Sequence, residues 1–253
     1  ALSVYFIQAL KPYWSRRKFL LFMFMPISAG VSIIASSSRG SVIGLVPVIL
    51  WMLVKSKKRV KSLVLTTVVG IAIWVLLPAE QKDRFSTMGE DETSMSRLAF
   101  WERGLDIMAN HPITGVGYNN WMRYSMAHYE PFLSPSNQQP MWQLPHNIFI
   151  EVGSELGYVG LALFVGLIGF MLYTNARTRK LSKNLPGGGK LAIGLSHGLD
   201  AGLMGYLAAG FFVTVFYYPF FWISYALTVA LHHVVATRAV SQYMPAGAPA
   251  MRR

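Results

Sequence analysis

Six near-continuous blocks of apolar residues constrain the fold of this chain more than any other feature of the sequence. Apolar runs of this length, without amphipathic spacing, are typical of helices that cross a membrane, and such a helix needs about 20 residues. Flanking serine and threonine, with the apolar stems of lysine and arginine, complete the shorter blocks. Composition agrees, because 53% of the 253 residues are hydrophobic and only 13% are charged. The blocks are Phe19–Ala35, Ser41–Val54, Leu63–Leu77, Ile148–Tyr173, Leu199–Phe216 and Phe220–Val235.

Two features of these blocks leave alternatives open. Ser41–Val54 reaches spanning length only if Ser36–Gly40 joins its helix, which would bring Arg39 to membrane depth. The last two blocks are either two crossings or one re-entrant hairpin with residues 217–219 at its tip.

Four clusters of basic residues lie between the apolar blocks and predict the orientation of the chain. Lysine and arginine accumulate on the cytoplasmic side of membrane proteins. Six crossings place all four clusters, which hold 17 of the 23 basic residues, on that side with both chain ends. The net charge of +12 therefore indicates a membrane surface rather than a nucleic-acid partner. The clusters are Lys11–Lys18, Lys55–Lys61, Arg177–Lys190 and Arg238–Arg253.

This topology leaves one large external loop, Pro78–Pro145, which holds eight of the 11 acidic residues. Its first half predicts a helix that begins at a cap within 91–96 and ends at His111-Pro112. Gly115–Gly117 predicts a turn, and Pro131–Pro145 is typical of coil. The expected fold class is all-α: a polytopic membrane protein with about six transmembrane helices and one large, partly helical loop. The predicted apolar face of the loop helix consists of Leu98, Trp101, Leu105 and Met108.

Two arginines are candidate anion ligands. Arg39 follows three serines at the outer end of a predicted helix, where an arginine is costly and should face a cavity or an anion. The alternative is an interfacial arginine that reaches lipid phosphate. Arg97 opens the loop helix, and helix N-termini attract anions. Its alternative is a solvated charge that pairs with Glu102 or Asp106.

A histidine and two carboxylates form the other candidate site. His146 stands where the loop enters the fourth block, and Glu151 and Glu155 follow on one face of the helix. Ionisable groups at the membrane mark functional sites, and a histidine near carboxylates suits a general base near neutral pH. The alternative is an interfacial histidine with two helix-capping acids. For His111, a structural cap is favoured over a place in a sugar site. No metal or nucleotide motif occurs in the sequence, so no cofactor is expected.

Taken in order along the chain, these motifs resemble the O-antigen ligase family, which includes O-antigen polymerases and bacterial protein O-glycosylation ligases. The match spans about Phe19–Tyr173. The resemblance implies a multi-pass protein of the bacterial inner membrane in which residues 78–145 form a periplasmic loop. The motifs are Ser38-Arg39-Gly40, Ser96-Arg97 with Trp101, His111-Pro112, Gly115-Val-Gly117, and His146-Asn147 followed by Glu155, Gly157 and Gly160.

The resemblance also implies a metal-independent glycosyltransferase without a nucleotide sugar. Such an enzyme transfers a glycan from an undecaprenyl-pyrophosphate carrier to a hydroxyl of lipid A–core, a protein or another glycan. Carried over residue by residue, Arg39 and Arg97 would bind the donor pyrophosphate and His146 would be the catalytic base. A single displacement would invert the configuration at the sugar carbon. The supporting residues would be Glu151, Glu155 and His111.

Two other functions stay open. A polymerase would join lipid-linked repeat units. A non-enzymatic transporter or flippase subunit would place charges along a path at the membrane midplane, whereas Phe19–Ala35, Leu63–Leu77 and Phe220–Val235 contain none. Family members have about double the number of membrane helices. Residues 1–253 are therefore expected to be a single membrane domain, the C-terminal half of a longer ligase, whose first ten residues end an earlier membrane helix.

Overall fold

The computed structural model describes residues 1–36, 39–56, 59–76, 82, 92–185 and 189–243. Of the predicted external loop, the description covers residue 82 and residues 92–145. Ser37 and Ser38, as well as the side chain of Arg39, lie outside the described residues.

Helices account for most of the described residues, in agreement with the predicted all-α class. A 3-10 turn at Lys11–Tyr13 follows α1, and two short strands, β1 (Phe132–Leu133) and β2 (Pro140–Met141), pair antiparallel. The expectation of coil throughout Pro131–Pro145 is therefore wrong, because this segment folds back on itself as a hairpin. The helices are α1 (Leu2–Leu10), α2 (Arg16–Phe22), α3 (Phe24–Ala35), α4 (Arg39–Lys55), α5 (Arg59–Leu76), α6 (Glu92–Asn110), α7 (Trp121–His128), α8 (Ile148–Ser182), α9 (Lys190–Gly210) and α10 (Pro219–Tyr243).

The chain folds into two compact units. The first unit consists of Ala1–Ala29, Ile168–Leu203 and Pro219–Arg253. The second unit consists of Gly30–Leu167 and Met204–Tyr218. Helix α8 begins in the second unit and ends in the first, and α9 runs the opposite way.

A buried polar group lies between three helices of the first unit. Arg179 of α8 forms an ion pair of 2.5 Å with Asp200 of α9, whose side chain is 1% exposed. Asn175 Nδ2 of α8 donates to Asp200 Oδ1 at 2.8 Å and lies 3.5 Å from Thr228 Oγ1 of α10. The carboxylate of Asp200 therefore accepts from two side chains of α8.

Helices α4 and α9 approach closely in the second unit. A Cβ atom at Gly44 would lie 2.9 Å from the backbone oxygen of Gly205, so only glycine permits this approach without a shift. The loop portion of this unit has its own apolar core, in which Phe100, Ile107 and Trp121 are fully buried. Trp121 also donates its ring N–H to the backbone oxygen of Gln143 at 3.0 Å, which ties α7 to the end of the loop.

Within the described residues, two helices are long and apolar enough to cross a membrane: α8, whose backbone leaves helical geometry at Gly157, and residues Pro219–Ala239 of α10. Gly40–Lys55 of α4 is apolar but shorter. Helices α3 and α5 expose more than half of many large apolar side chains, which is the pattern expected of lipid-facing helices. The protein is thus a helical membrane protein, while the count of six crossings stays a prediction. Examples of these side chains are Phe24, Ile27, Val31, Val64, Val68 and Ile71.

A proline lies inside the first predicted membrane block. Within Phe19–Ala35, α2 ends at Phe22 and α3 begins at Phe24, while Met23 between them keeps right-handed helical backbone angles and donates its N–H to the oxygen of Phe19. Pro26 lacks a backbone N–H, and its ring would clash with the carbonyl of Phe22 in a continuous helix. The proline therefore removes one hydrogen bond of the helix, and the chain keeps its helical course through Met23.

The loop helix α6 covers the predicted residues but buries a different face. Leu98 and Leu105, predicted to be buried, are 59% and 56% exposed, whereas Phe100 and Ile107 are 0% exposed. The reason is tertiary: Phe100 and Ile107 pack with Trp121 of α7. The predicted helix is confirmed, and its predicted apolar face is wrong in half of its members.

Candidate active site

His146 occupies a strained turn directly before α8. Its φ is 49°, in the left-handed region that residues with a Cβ rarely adopt, at a cost of about 1–3 kcal/mol. The next residue, Asn147, caps α8: its side-chain oxygen accepts from the backbone N–H groups of Phe149 at 3.0 Å and Ile150 at 3.3 Å. The capped helix thus holds the turn from one side. Such outliers cluster at functional sites.

The ring of His146 lies beside a hydroxyl, and the charge of Arg97 acts on it. Nδ1 lies 3.4 Å from Thr214 Oγ1, a residue 68 positions further along the chain. Burial, and then the positive charge of Arg97, hold the pKa of His146 below its usual value of 6.5. A neutral imidazole therefore predominates near neutral pH, and it can accept a proton.

Trp101 holds the backbone before His146. Its ring N–H donates to the backbone oxygen of Pro145 at 2.7 Å. The same indole contacts Phe211 and Phe212 with ring centroids 5.4 and 6.4 Å apart. Since Trp101 lies about one helical turn after Arg97, helix α6 positions both the guanidinium and the histidine turn.

The beginning of α4 lies beside the same segment of chain. A Cβ atom at Gly40 would be 3.1 Å from Val213 Cγ2 and 3.4 Å from Phe212 Cβ. The backbone of Arg39 is therefore close to the residue that precedes Thr214. The start of α4 and residues 97–101 of α6 thus lie in the same region as His146. The sequence interpretation that Arg97 opens the loop helix is wrong, because α6 begins five residues earlier, at Glu92.

Glu155 has a positioning role. Its buried carboxylate accepts hydrogen bonds from the backbone N–H groups of Asn119 at 2.9 Å and Trp121 at 3.1 Å, and from the hydroxyl of Tyr217. It thus caps the N-terminus of α7, which has no side-chain cap of its own. Burial and the hydrogen bond to Glu155 raise the pKa of Tyr217, so this phenol stays a donor.

Glu151 differs from Glu155 although both are 1% exposed. Its carboxylate accepts from the backbone of Phe216. Its Oε2 atom is buried and has no hydrogen-bond partner among the described residues. Of the two carboxylates, Glu151 alone keeps an oxygen that a substrate or a proton could still engage.

His111 lies apart from this group. It follows the last residue of α6, about 20 Å along the helix axis from Arg97. Its Nε2 lies 2.8 Å from the hydroxyl of Tyr124, and the two rings meet edge to face. The turn after it, with Gly115 and Gly117 at positive φ, packs against the backbone of α8. The described contacts of His111 are thus structural, and they do not bring it to His146.

The sequence analysis missed the α9–α10 connection, residues 211–218. Thr214, Phe216 and Tyr217 of this connection contact His146, Glu151 and Glu155, respectively. The sequence offered only one signal, an aromatic run that was interpreted as the end of a membrane block. Within the described part of the chain, no group of three histidine, aspartate or glutamate side chains could hold a metal ion.

Comparison with known proteins identifies related sequences. A family model described as O-antigen ligase matches residues 20–165, more than half of the chain. That range contains every candidate residue chosen from the sequence, whereas the α9–α10 connection lies outside it. A protein of Pseudomonas aeruginosa named O-antigen ligase is 25% identical over 195 residues. The alignment covers 75% of this chain and 44% of that protein, so the chain spans less than half the length of this relative.

Proposed function

The chain belongs to the O-antigen ligase family, and we propose that it carries the catalytic centre of a glycosyltransferase of lipopolysaccharide biosynthesis. In this proposal a glycan is transferred from an undecaprenyl-pyrophosphate carrier to a hydroxyl of lipid A–core. The reaction takes place at the periplasmic face of the inner membrane, in a chain that crosses the membrane six times.

One observation carries the proposal: His146 lies in a strained turn with Thr214 Oγ1 3.4 Å from its Nδ1, and the charge of Arg97 helps to lower its pKa. A base for an acceptor hydroxyl must be neutral at the working pH, and burial together with Arg97 favours the neutral ring. Arginine is also the side chain best suited to a pyrophosphate, because its planar fork donates two hydrogen bonds.

The reaction is a single displacement. The acceptor oxygen forms a bond to the anomeric carbon while the bond from that carbon to the pyrophosphate oxygen breaks. The acceptor proton passes to Nε2 of His146, and the leaving pyrophosphate keeps the electron pair. Arg97, with Arg39 as its proposed partner, stabilises the negative charge that develops on the leaving oxygen. Attack opposite the leaving group inverts the configuration at the sugar.

The two carboxylates take different parts in this proposal. Glu155 already accepts three hydrogen bonds, so it positions the loop rather than accepting a proton. Glu151, with its unpartnered oxygen among the described residues, is the second candidate for contact with the acceptor sugar.

The test is transfer by the purified full-length protein from undecaprenyl-pyrophosphate-linked O-antigen to lipid A–core. Loss of a general base costs about 10² to 10⁴ in rate, so His146→Ala should lower kcat by that factor while donor binding persists. His128→Ala, an exposed histidine of α7, is the matched control and should keep the wild-type rate. Parallel reactions with a protein or a second lipid-linked glycan as acceptor separate the ligase from the protein ligase and the polymerase. Normal transfer by His146→Ala would contradict the proposed base.

A further inference from the structure

The α9–α10 connection holds a hydroxyl against the proposed catalytic histidine, outside the range that the family model matches. We propose that Thr214 is a positioning residue that fixes His146 in the tautomer with the proton on Nδ1, and that Tyr217 and Glu155 hold Thr214 in place. The inference rests on the proposed function, since it assigns how the base of that reaction is oriented.

The proposal assigns which nitrogen of His146 serves as the base: a threonine hydroxyl can donate or accept, and here it is taken as the acceptor from Nδ1. A neutral imidazole carries its proton on one nitrogen and a lone pair on the other. With Nδ1 of His146 facing Thr214 Oγ1 at 3.4 Å, an Nδ1–H can donate to the hydroxyl oxygen. Nε2 then keeps its lone pair for the acceptor proton. After proton transfer both nitrogens donate, and Thr214 still accepts from Nδ1.

A hydroxyl in this position has a different effect from a carboxylate. A carboxylate would orient the ring but would also stabilise the imidazolium and raise the pKa of His146. Threonine is neutral, so it orients the ring without opposing the effect of Arg97. The arrangement therefore combines a fixed tautomer with a ring that stays unprotonated near neutral pH.

Three contacts fix the connection on the side that follows Thr214. The hydroxyl of Tyr206, in α9, donates to the backbone oxygen of Val215 at 2.8 Å. Phe216, which is 6% exposed, donates from its backbone to Glu151. Tyr217 donates its hydroxyl to Glu155. The three residues that follow Thr214 are thus each anchored to a neighbouring helix.

The side that precedes Thr214 is fixed by the element that also fixes His146. Phe211 and Phe212 contact the indole of Trp101, and that indole donates to the residue before His146. One side chain therefore sets the position of both partners of the Thr214–His146 contact. If the contact with His146 only gave the Thr214 hydroxyl a hydrogen-bond partner, the two residues would not need to be positioned by the same side chain, Trp101.

The experiment compares Thr214→Val, which removes the hydroxyl at nearly constant shape, with Thr214→Ser, which keeps it. Thr114→Val is the control, because Thr114 is exposed in the same unit. For the full-length enzyme we expect Thr214→Val to lower kcat about threefold to tenfold, the value of one hydrogen bond, with donor and acceptor KM within twofold. Thr214→Ser should restore most of the rate, and Thr114→Val should equal wild type.

Nitrogen-15 NMR of labelled histidine reports the tautomer of His146, which would not change if Thr214 had only a structural role. The signals of His146, assigned by their loss in His146→Ala, should report Nδ1–H in wild type and in Thr214→Ser, with a shift toward Nε2–H in Thr214→Val. Tyr217→Phe should move the same signals in part, whereas Tyr218→Phe, which alters a 60% exposed ring, should not. An unchanged tautomer and rate in Thr214→Val would overturn the inference. Equal losses in the valine and serine variants would overturn it as well.

The outcomes separate this inference from the proposed function. If His146→Ala is inactive and Thr214→Val behaves as wild type, His146 remains the base and only the role of Thr214 fails. If His146→Ala is active, the proposed base itself is wrong, and the role of Thr214 fails with it.

Discussion

The two units each bury polar side chains, but they group their charges in opposite ways. In the first unit a cation and an anion pair directly, Arg179 with Asp200 at 2.5 Å. In the second unit two carboxylates of α8 lie near each other, since the charge of Glu155 acts on Glu151, and the charge of Arg97 disfavours a second positive charge on His146. A paired group stabilises the fold that contains it. Like charges held together raise the free energy until a ligand or proton of opposite charge arrives.

This difference decides which buried polar group is a candidate site. Burial alone would select Asp200 and Glu155 equally, since both side chains are 1% exposed or less. Arg97, whose charge acts on His146, suits an anionic ligand such as a pyrophosphate, because its guanidinium gains charge-assisted hydrogen bonds when the anion binds. The ion pair of the first unit offers no such gain.

The largest effect on stability is expected from breaking the Arg179–Asp200 ion pair of the first unit. Asp200→Ala leaves Arg179 without its partner in a largely buried position, so we expect the free energy of unfolding to fall by about 3–5 kcal/mol. Denaturant unfolding of the full-length protein in detergent measures this loss, with Glu102→Ala, an exposed carboxylate of α6, as control. The molecules that remain folded should keep their kcat. Wild-type stability of Asp200→Ala would contradict a structural role for the pair.

A smaller effect, on activity rather than on stability, is expected for the substitution of Arg97. Arg97→Ala removes a hydrogen-bonding cation from the proposed pyrophosphate site, so kcat/KM should fall about 10- to 10²-fold with little change in stability. Arg97→Lys should recover only part of this loss, because lysine lacks the planar fork. Arg123→Ala, an exposed arginine of α7, serves as the control. Equal rates for Arg97→Ala and Arg123→Ala would remove the basis for the anion site.

The smallest perturbation is a single cysteine, which tests the orientation of the chain in the membrane. The chain contains no cysteine, so a single cysteine reports one position. Ala127→Cys in α7 should react with a membrane-impermeant thiol reagent in cells with a permeabilised outer membrane, whereas Asn184→Cys after α8 should react only after lysis. Both positions are exposed, and neither contacts the proposed site. Labelling of Asn184→Cys from outside would contradict the six-crossing topology.

Local patterns in the sequence predicted the parts of the fold that depend on local physics. Two of the apolar blocks coincide with the two described helices that are long and apolar enough to cross a membrane, and the His111-Pro112 signal placed the end of α6 within two residues of Asn110. Pro26 also indicates the boundary between α2 and α3, which hydropathy alone does not show. His146 stood out because it precedes a helix that contains two carboxylates.

Contacts between distant segments could not be predicted in this way. Thr214 lies 68 residues from His146, and Tyr217 lies 62 residues from Glu155. The spacing of the aromatic residues in the α9–α10 connection does not show which distant residues they contact. The same limit explains the loop helix: Phe100 is buried because Trp121 packs on it, and the periodicity of α6 alone favoured Leu98. The sequence therefore identified residues suited to the chemistry, and tertiary packing decided their roles.

The most direct test of the account is the pH dependence of kcat/KM, in wild type and in Arg97→Gln. His146 must be unprotonated to act as the base, so activity should be lost as the pH falls through its pKa, which lies below 6.5. Removal of the Arg97 charge raises that pKa, because the imidazolium is no longer repelled. We therefore predict that the acidic limb of the profile moves to higher pH in Arg97→Gln and stays in place in Arg123→Gln. An acidic limb at the same pH in all three proteins would contradict the claim that Arg97 and a catalytic His146 share one site.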